Sequence, residues 1–405
     1  MKICFVTESF YPEINGGSVH SRLLAEKFRD AGHDVLIVTR RPGDSYLRSE
    51  IISGCQVLRA GLDNRYGMIG RYLGMVTILP PLIIHRRQYD IVLIAAPRIL
   101  GAPVVALMKL LGKKCVVKPD SCGEMDGSYA LNQVAPRSLI HVLATTYFWI
   151  RNMVLKRADA YIAISEVVSD EICNMGIDNR RVIKIPNGVD VDKFSPLENT
   201  DKRLLRVKQG LPEEAIIFAY CGRLTREKGL RSLIRVWKKV TDRFENTHLL
   251  LVGSGKGLSL DCEGELKEFI MENGLEKHVT FTGPVEDVAS YVSCADIFVL
   301  PSITEALGIA LIESQLCGIP AIATKVGGIP DVVTHDVNGL LVSPDNDDDL
   351  LNASLELISN KAKRIRLGLA ARKLGVERFS ISRVTQSYLS LLDAVEQSTE
   401  ISQEI

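Results

Sequence analysis

The 405-residue sequence has no excess of charge of either sign, with 49 Lys plus Arg against 49 Asp plus Glu. A chain so balanced offers no strongly basic footprint for nucleic acid. Nine cysteines are present, at 4, 55, 115, 122, 173, 221, 262, 294 and 317, but no Cys-x-x-Cys pair. That argues against both a zinc site and a disulfide framework, and favours reduced thiols in the cytoplasm. No apolar run is long and clean enough to span a bilayer, which takes about 20 residues. The best candidate, Met68 to Ile84, is broken by Arg71 and Pro80-Pro81. The opening Met1-Lys2-Ile3-Cys4-Phe5-Val6-Thr7 lacks the apolar core and cleavage site of a secretion signal and reads as a buried strand.

Hydrophobic residues make up 46% and charged residues 24%, the composition of a chain that buries a sizeable core. Its length favours two domains. Charge is unevenly shared. Residues 1–190 carry 24 Lys plus Arg and 18 Asp plus Glu, net +6, and the remainder is net −6. A basic first half suits an anionic substrate or anionic lipid headgroups.

Short apolar runs alternate with amphipathic stretches of helical length, the pattern of parallel strands joined by crossover helices. Strands are expected at Ile3–Thr7, Val35–Thr39, Ile91–Ala95, Cys115–Lys118 and Ala160–Ile164 in the first half. In the second half they are expected at Ile216–Tyr220, His248–Val252, Val279–Phe281, Ile297–Leu300 and Ala321–Thr324. Leu230, Leu233, Ile234, Trp237 and Val240 share one helical face and read as core packing. The expected division is 1–190, 191–380 and a C-terminal helix in 381–405 that packs locally or returns to the first domain. Asp190 to Leu211 is the expected crossing.

In open parallel sheets ligands bind beyond the carboxyl ends of the strands, so the residues after each strand carry the chemistry. Gly16-Gly17 lies between the first strand and a helix containing His20, where a backbone can approach a phosphate or sugar closely. Arg223 and Lys228 follow the first strand of the second half and can bracket a diphosphate as fork and point charge. Asp296 to Ser314 supplies a loop carboxylate, Glu305, and a helical one, Glu313. Eight helical residues between them would span roughly 12 Å, about the reach from a sugar ring to a ribose across a diphosphate. Taken singly, each of these also reads as a solvated turn or surface charge. Together they favour a nucleotide sugar.

The order Gly16-Gly17, Ile185-Pro186-Asn187-Gly188-Val189-Asp190, Gly222-Arg223-x4-Lys228-Gly229, Val252-Gly253-x-Gly255, Pro301-Ser302-x2-Glu305-x7-Glu313 and Val326-Gly327-Gly328-Ile329-Pro330 resembles the large family of retaining glycosyltransferases that includes sucrose synthase and the bacterial phosphatidylinositol mannosyltransferases. The resemblance spans nearly the whole chain and is densest from Tyr161 to Val342.

It implies an α/β, GT-B fold of two Rossmann-like domains facing a cleft, the first binding the acceptor and the second the nucleotide-sugar donor. It also implies transfer with retention of anomeric configuration and without a metal ion or cofactor, the nucleotide sugar being a substrate. Carried over residue by residue, Arg223 and Lys228 contact the diphosphate, Glu313 the ribose and Glu305 the transferred sugar, as nucleophile or as electrostatic stabiliser. Main-chain amides from Leu307, Gly308 and Ile309 assist, Gly16 and Gly17 close over the diphosphate, and Val285 lines the base pocket. The chain departs from its relatives in having no His after the fourth strand. Asp120 lies nearest that position, with Ser121 and Glu124 as competitors, and His20 reads as a helix residue. The acidic run Asp345 to Asp349 precedes a Leu-rich helix and reads as N-terminal helix charge.

The expected partners are a nucleotide-sugar donor and a glycan, lipid-linked or small-molecule acceptor, with no nucleic acid. A sugar-nucleotide epimerase and a non-catalytic sugar-nucleotide-binding subunit are the competing readings. Ile140 to Leu155, with Tyr147, Phe148 and Trp149 beside Arg151, Lys156 and Arg157, suits either a helix at the inner face of the membrane or buried packing between domains.

Overall fold

The computed structural model describes residues 1–13, 16–43, 45–61, 77–132 and 138–397. Ile14 and Asn15, most of the Met68–Ile84 stretch (68–76) and residues 398–405 lie outside the described residues. The chain forms two compact units, Met1–Gly188 with Ile381–Ile405, and Val189–Ser380.

The first unit runs β1 (Lys2–Thr7), α1 (Gly16–Asp30), β2 (Asp34–Arg40), β3 (Ser49–Ile52), β4 (Cys55–Ala60), α2 (Leu79–Ile84), β5 (Ile91–Ala95) and α3 (Gly101–Leu110). It continues with β6 (Lys114–Lys118), α4 (Ser128–Leu131), α5 (Leu139–Leu155), β7 (Ala160–Ala163), α6 (Glu166–Asn174) and β8 (Val182–Lys184). Its eight-stranded sheet has the order β3-β4-β2-β1-β5-β6-β7-β8. All neighbours pair in parallel except the β3–β4 hairpin. The central strands are buried along their length, as a sheet with helices on both faces requires.

The second unit comprises α7 (Asn199–Lys208), β9 (Ile216–Cys221), α8 (Leu230–Thr241), β10 (Thr247–Val252), α9 (Glu263–Glu272), β11 (Val279–Gly283), α10 (Val288–Ser293) and β12 (Ile297–Leu300). After these come α11 (Ile309–Leu316), β13 (Ala321–Thr324), α12 (Ile329–Val332), β14 (Gly339–Val342), α13 (Asp347–Ser359) and α14 (Lys361–Phe379). Its six strands are all parallel, in the order β11-β10-β9-β12-β13-β14. The Leu230–Val240 stripe is buried on α8, where Trp237 meets Phe218 edge-on.

Every strand expected from the sequence is present, and the two-domain α/β architecture stands. The strands not anticipated, β3, β4, β8 and β14, lie towards the sheet margins; β3 is half-exposed and β8 only three residues long. Asp190 to Leu211 is no bare crossing. It belongs wholly to the second unit and contains α7.

The chain then returns. α15 (Ile381–Glu396) buries Val384, Tyr388, Leu391, Leu392 and Val395 in the same cluster as Phe5 and Phe28 of the first unit. The Phe28 and Tyr388 rings stand 6.2 Å apart.

Candidate functional site

Each sheet reverses its order once, and open parallel sheets leave a crevice at that point, outside the carboxyl ends of the strands. In the second unit the reversal lies between β9 and β12, which pair directly although β10 and β11 separate them in sequence. Arg223 and Lys228 follow β9, and Glu305 and Glu313 follow β12, so strand order brings these four expected residues to one edge.

Lys228 Nζ donates to Glu305 Oε2 at 2.7 Å, with both side chains largely buried. Arg223 is 58% exposed and pairs with Glu227 at 3.2 Å. Its carbonyl accepts from the buried Tyr220 hydroxyl at 2.7 Å. The backbones of the two loops are locked together. Gly229 has φ +67°, and a Cβ there would run into the Pro301 carbonyl oxygen. The Ile303 amide donates to the Glu227 carbonyl at 2.9 Å. Gly327, at φ +51°, lies against the Glu305 carbonyl in the same way, and the Gly328 amide donates to that carbonyl at 3.0 Å. Glu305 is thus fixed by its backbone and by Lys228.

Leu307 is buried, and Gly308, at φ +87°, caps α11. The helix begins at Ile309, so the eight residues from Glu305 to Glu313 are not all helical, and their separation is not set by helical rise as expected. The opening amides of α11 have no carbonyl partners inside the helix, which favours an anion before them.

Glu313 lies one turn into α11 and is largely buried. Its carboxyl has no hydrogen-bond partner among the described residues, and burial pushes its pKa up to about 7, with Lys193 opposing. Its charge also acts on the Cys221 thiol at the end of β9, which sets Glu313 beside the same crevice. Val285 is half-buried after β11, two strands from β9.

The Asp345–Asp349 run is N-terminal helix charge. Asn346 caps α13 through the amides of Asp348 and Asp349, and Asp347 pairs with Arg235 at 2.8 Å. Asp190-Val191-Asp192 closes a turn, the Asp190 carboxylate accepting from the amides of Asp192 and Lys193.

In the first unit the order reverses between β1 and β5. Gly16 and Gly17 open α1, which has no acidic residue in its first turn. His20 is a buried residue of α1 whose Nε2 has no hydrogen-bond partner among the described residues, and burial lowers its pKa, with Lys118 adding to the effect. Asp120, after β6, is ion-paired with the buried Lys118, and its amide donates to Glu124 Oε2 at 2.9 Å. Glu124 is fully buried and accepts from Arg98 Nε at 2.7 Å. Burial drives its pKa up to about 7 against the pull of Arg98.

Three residues here were not anticipated. Glu8, after β1, accepts from the Ile99 amide at 2.7 Å. Arg98, after β5, also donates to Ser121 at 3.1 Å. Arg151, buried on α5, donates to the carbonyls of Pro97 (3.2 Å), Arg98 (3.0 Å), Glu124 (2.5 Å) and Met125 (2.9 Å), tying together the loops that follow β5 and β6. Glu8 and Arg98 carry a sequence signal, since each stands just past a strand flanking the reversal. Arg151 carries none beyond being the one Lys or Arg in an apolar helix.

Comparison with known proteins matches residues 201–374 to the family described as glycosyl transferases group 1 and residues 14–193 to glycosyltransferase family 4. An uncharacterized glycosyltransferase of Methanocaldococcus jannaschii is 25% identical over 96% of this chain and 97% of its own. A GDP-mannose-dependent monoacylated alpha-(1-6)-phosphatidylinositol monomannoside mannosyltransferase of Corynebacterium glutamicum is 34% identical, over 46% of this chain and 50% of that protein. The alignment with that characterised relative therefore spans only half its length.

Among solved structures, sucrose-phosphate synthase from Thermosynechococcus elongatus superposes with a TM-score of 0.80 at 22% identity, covering 98% of this chain and all of that one. The Anabaena protein HepE in complex with UDP-glucose gives 0.78 at 20% identity, covering 97% and 100%. At such identities the likeness establishes the GT-B fold class.

Proposed function

Because the chain belongs to the group 1 glycosyltransferases, we propose that it transfers a sugar from a nucleotide-sugar donor to a glycan, lipid-linked or small-molecule acceptor. Retention of anomeric configuration, with no metal ion or cofactor, is part of the same reading. The observation that carries it is the Lys228–Glu305 ion pair at the β9–β12 reversal, with Arg223 on the loop of Lys228 and Glu313 on the helix that follows Glu305.

The chemistry suits that arrangement. Breaking the anomeric bond sends an electron pair to the diphosphate oxygen and leaves positive character on the sugar. Arg223, Lys228 and the opening amides of α11 stabilise the departing charge, while Glu305 stabilises the sugar electrostatically. The acceptor hydroxyl bonds to the anomeric carbon from the face the diphosphate leaves, and its proton passes to the diphosphate. Glu313, a largely buried carboxyl with no hydrogen-bond partner among the described residues, is suited to accept from ribose hydroxyls. In the first unit Asp120, within the network of Lys118, Glu124 and Arg98, is the group assigned to the acceptor. HepE is recorded with UDP-glucose and the C. glutamicum relative is GDP-mannose-dependent, so both bases belong in the test.

The test is nucleoside diphosphate release from UDP-, GDP- and ADP-sugars with and without lipid and oligosaccharide acceptors, followed by proton NMR of the product anomer. Acceptor-dependent release with the donor's anomeric configuration supports the proposal. Donor conversion that needs no acceptor points to an epimerase, and an inverted product removes the retaining assignment.

A further inference from the structure

The outer face of α5 has no work in the chemistry above. Its inner face holds the loops after β5 and β6 through Arg151, with Phe148 and Leu155 buried beside it. The opposite face is largely apolar and exposed. Ile140 is 67% exposed, Leu143 61% and Trp149 63%, with Tyr147, Ile150 and Met153 exposed as well. At about 100° per residue these positions sweep about half of the helix circumference, and the exposed Thr145, Thr146, Tyr147 and Trp149 bring hydrogen-bonding groups to the helix surface. Arg151, the helix's one Lys or Arg, is turned inward.

The rim differs in charge. Lys156 and Arg157 stand exposed at the carboxyl end of α5. α3, packed alongside, ends in Lys109 and the exposed Leu110. α2, against α3, ends in the exposed Ile84 followed by the exposed Arg86 and Arg87. Asp159, just beyond the carboxyl end of α5, is engaged by Lys109 at 2.7 Å and Lys114 at 3.6 Å.

We infer that this face of the first unit docks on an anionic lipid surface, α5 lying in the headgroup layer with its apolar side towards the acyl chains. Charge selects the occupant. A second copy related by a two-fold axis would bring the same acid-poor face and cations of the same sign, whereas anionic headgroups supply the missing counter-charge. Aromatic and hydroxyl side chains on an apolar helix face suit the boundary between headgroups and hydrocarbon. No helix among the described residues is long and apolar enough to cross a membrane, so the contact is peripheral. The inference needs no sugar transfer and goes beyond the proposed function.

The full chain contains two tryptophans, and Trp237 is 1% exposed, so a change of emission on adding vesicles reports on Trp149. With phosphatidylglycerol–phosphatidylcholine vesicles at low salt and no substrate, emission should move to shorter wavelength and the protein should co-sediment, with both effects weakened by salt. Replacing Lys156→Gln and Arg157→Gln together should lower partitioning roughly tenfold or more. Leu143→Ser with Ile150→Ser should abolish it, with far-UV circular dichroism as the check on folding. Unchanged Trp149 emission would overturn the inference, as would binding that survives the charge variant. So would a dimer in light scattering that the Leu143→Ser/Ile150→Ser variant dissociates while vesicles leave the parent protein in solution.

Discussion

Lys228 and Glu305 are 77 residues apart in sequence and form an ion pair at 2.7 Å, because β9 and β12 are neighbours in the sheet. On the proposed function, a diphosphate arriving at Lys228 would compete with Glu305 for the ammonium group and free Glu305 for the sugar.

Lys228→Ala should reduce donor turnover by about 10²–10³-fold, the range for loss of one preorganised leaving-group stabiliser. Glu305→Gln should likewise depress kcat more than donor KM. Steady-state kinetics on a nucleotide sugar checks both, and near-parental kcat in either variant contradicts the assigned role.

Glu313 gives a pH signature. Burial raises its pKa to about 7, above its ordinary value near 4.3 in an unfolded chain. The stabilising contribution is therefore fully present below about pH 4 and lost as pH rises through about 7. Glu313→Gln should remove this dependence and gain up to about 3 kcal/mol relative to the parent by pH 8, read from urea unfolding at several pH values. Nucleotide-sugar affinity should run the other way. Ribose hydroxyls donate best to the carboxylate, so parental affinity should rise towards neutral pH, whereas that of the Gln variant should be weaker and flat.

Arg151 joins loops that nothing else among the described hydrogen bonds joins so extensively. Arg151→Met removes the donor from four carbonyls at once and should cost about 2–4 kcal/mol. The folded fraction should keep its donor KM while acceptor KM rises. Equal damage to both constants would make Arg151 a general stability residue.

Gly229→Ala sets a side chain at φ +67° against the Pro301 carbonyl. A loss of about 1–3 kcal/mol is expected, together with weaker nucleotide binding, because the displaced loop carries Lys228. Thermal unfolding with and without nucleotide separates the two effects.

The central strands were legible because a buried parallel strand is a short run of apolar residues, as at Ile91–Ala95. The edge hairpin β3–β4 was not, since Ser49–Ile52 is half-exposed and turns through Ser53-Gly54 with little apolar contrast. In the site, spacing singled out Arg223, Lys228, Glu305 and Glu313, but only strand order says that the β9 and β12 loops adjoin and that Lys228 meets Glu305. The reach of Arg151 across to the loops after β5 and β6 depends on packing between elements, which no local pattern encodes. The path of α15 was open from the sequence. An amphipathic C-terminal helix needs an apolar partner, and the sequence does not say which unit provides it.

The most direct test is calorimetric titration of UDP-, GDP- and ADP-sugars into the protein in the presence of EDTA, with the Arg223→Ala/Lys228→Ala double variant alongside. One saturable site for at least one of these donors, weakened tenfold or more in the double variant, is the expected result. Absence of binding for all three, binding that requires a divalent cation, or undiminished affinity in the double variant would contradict it.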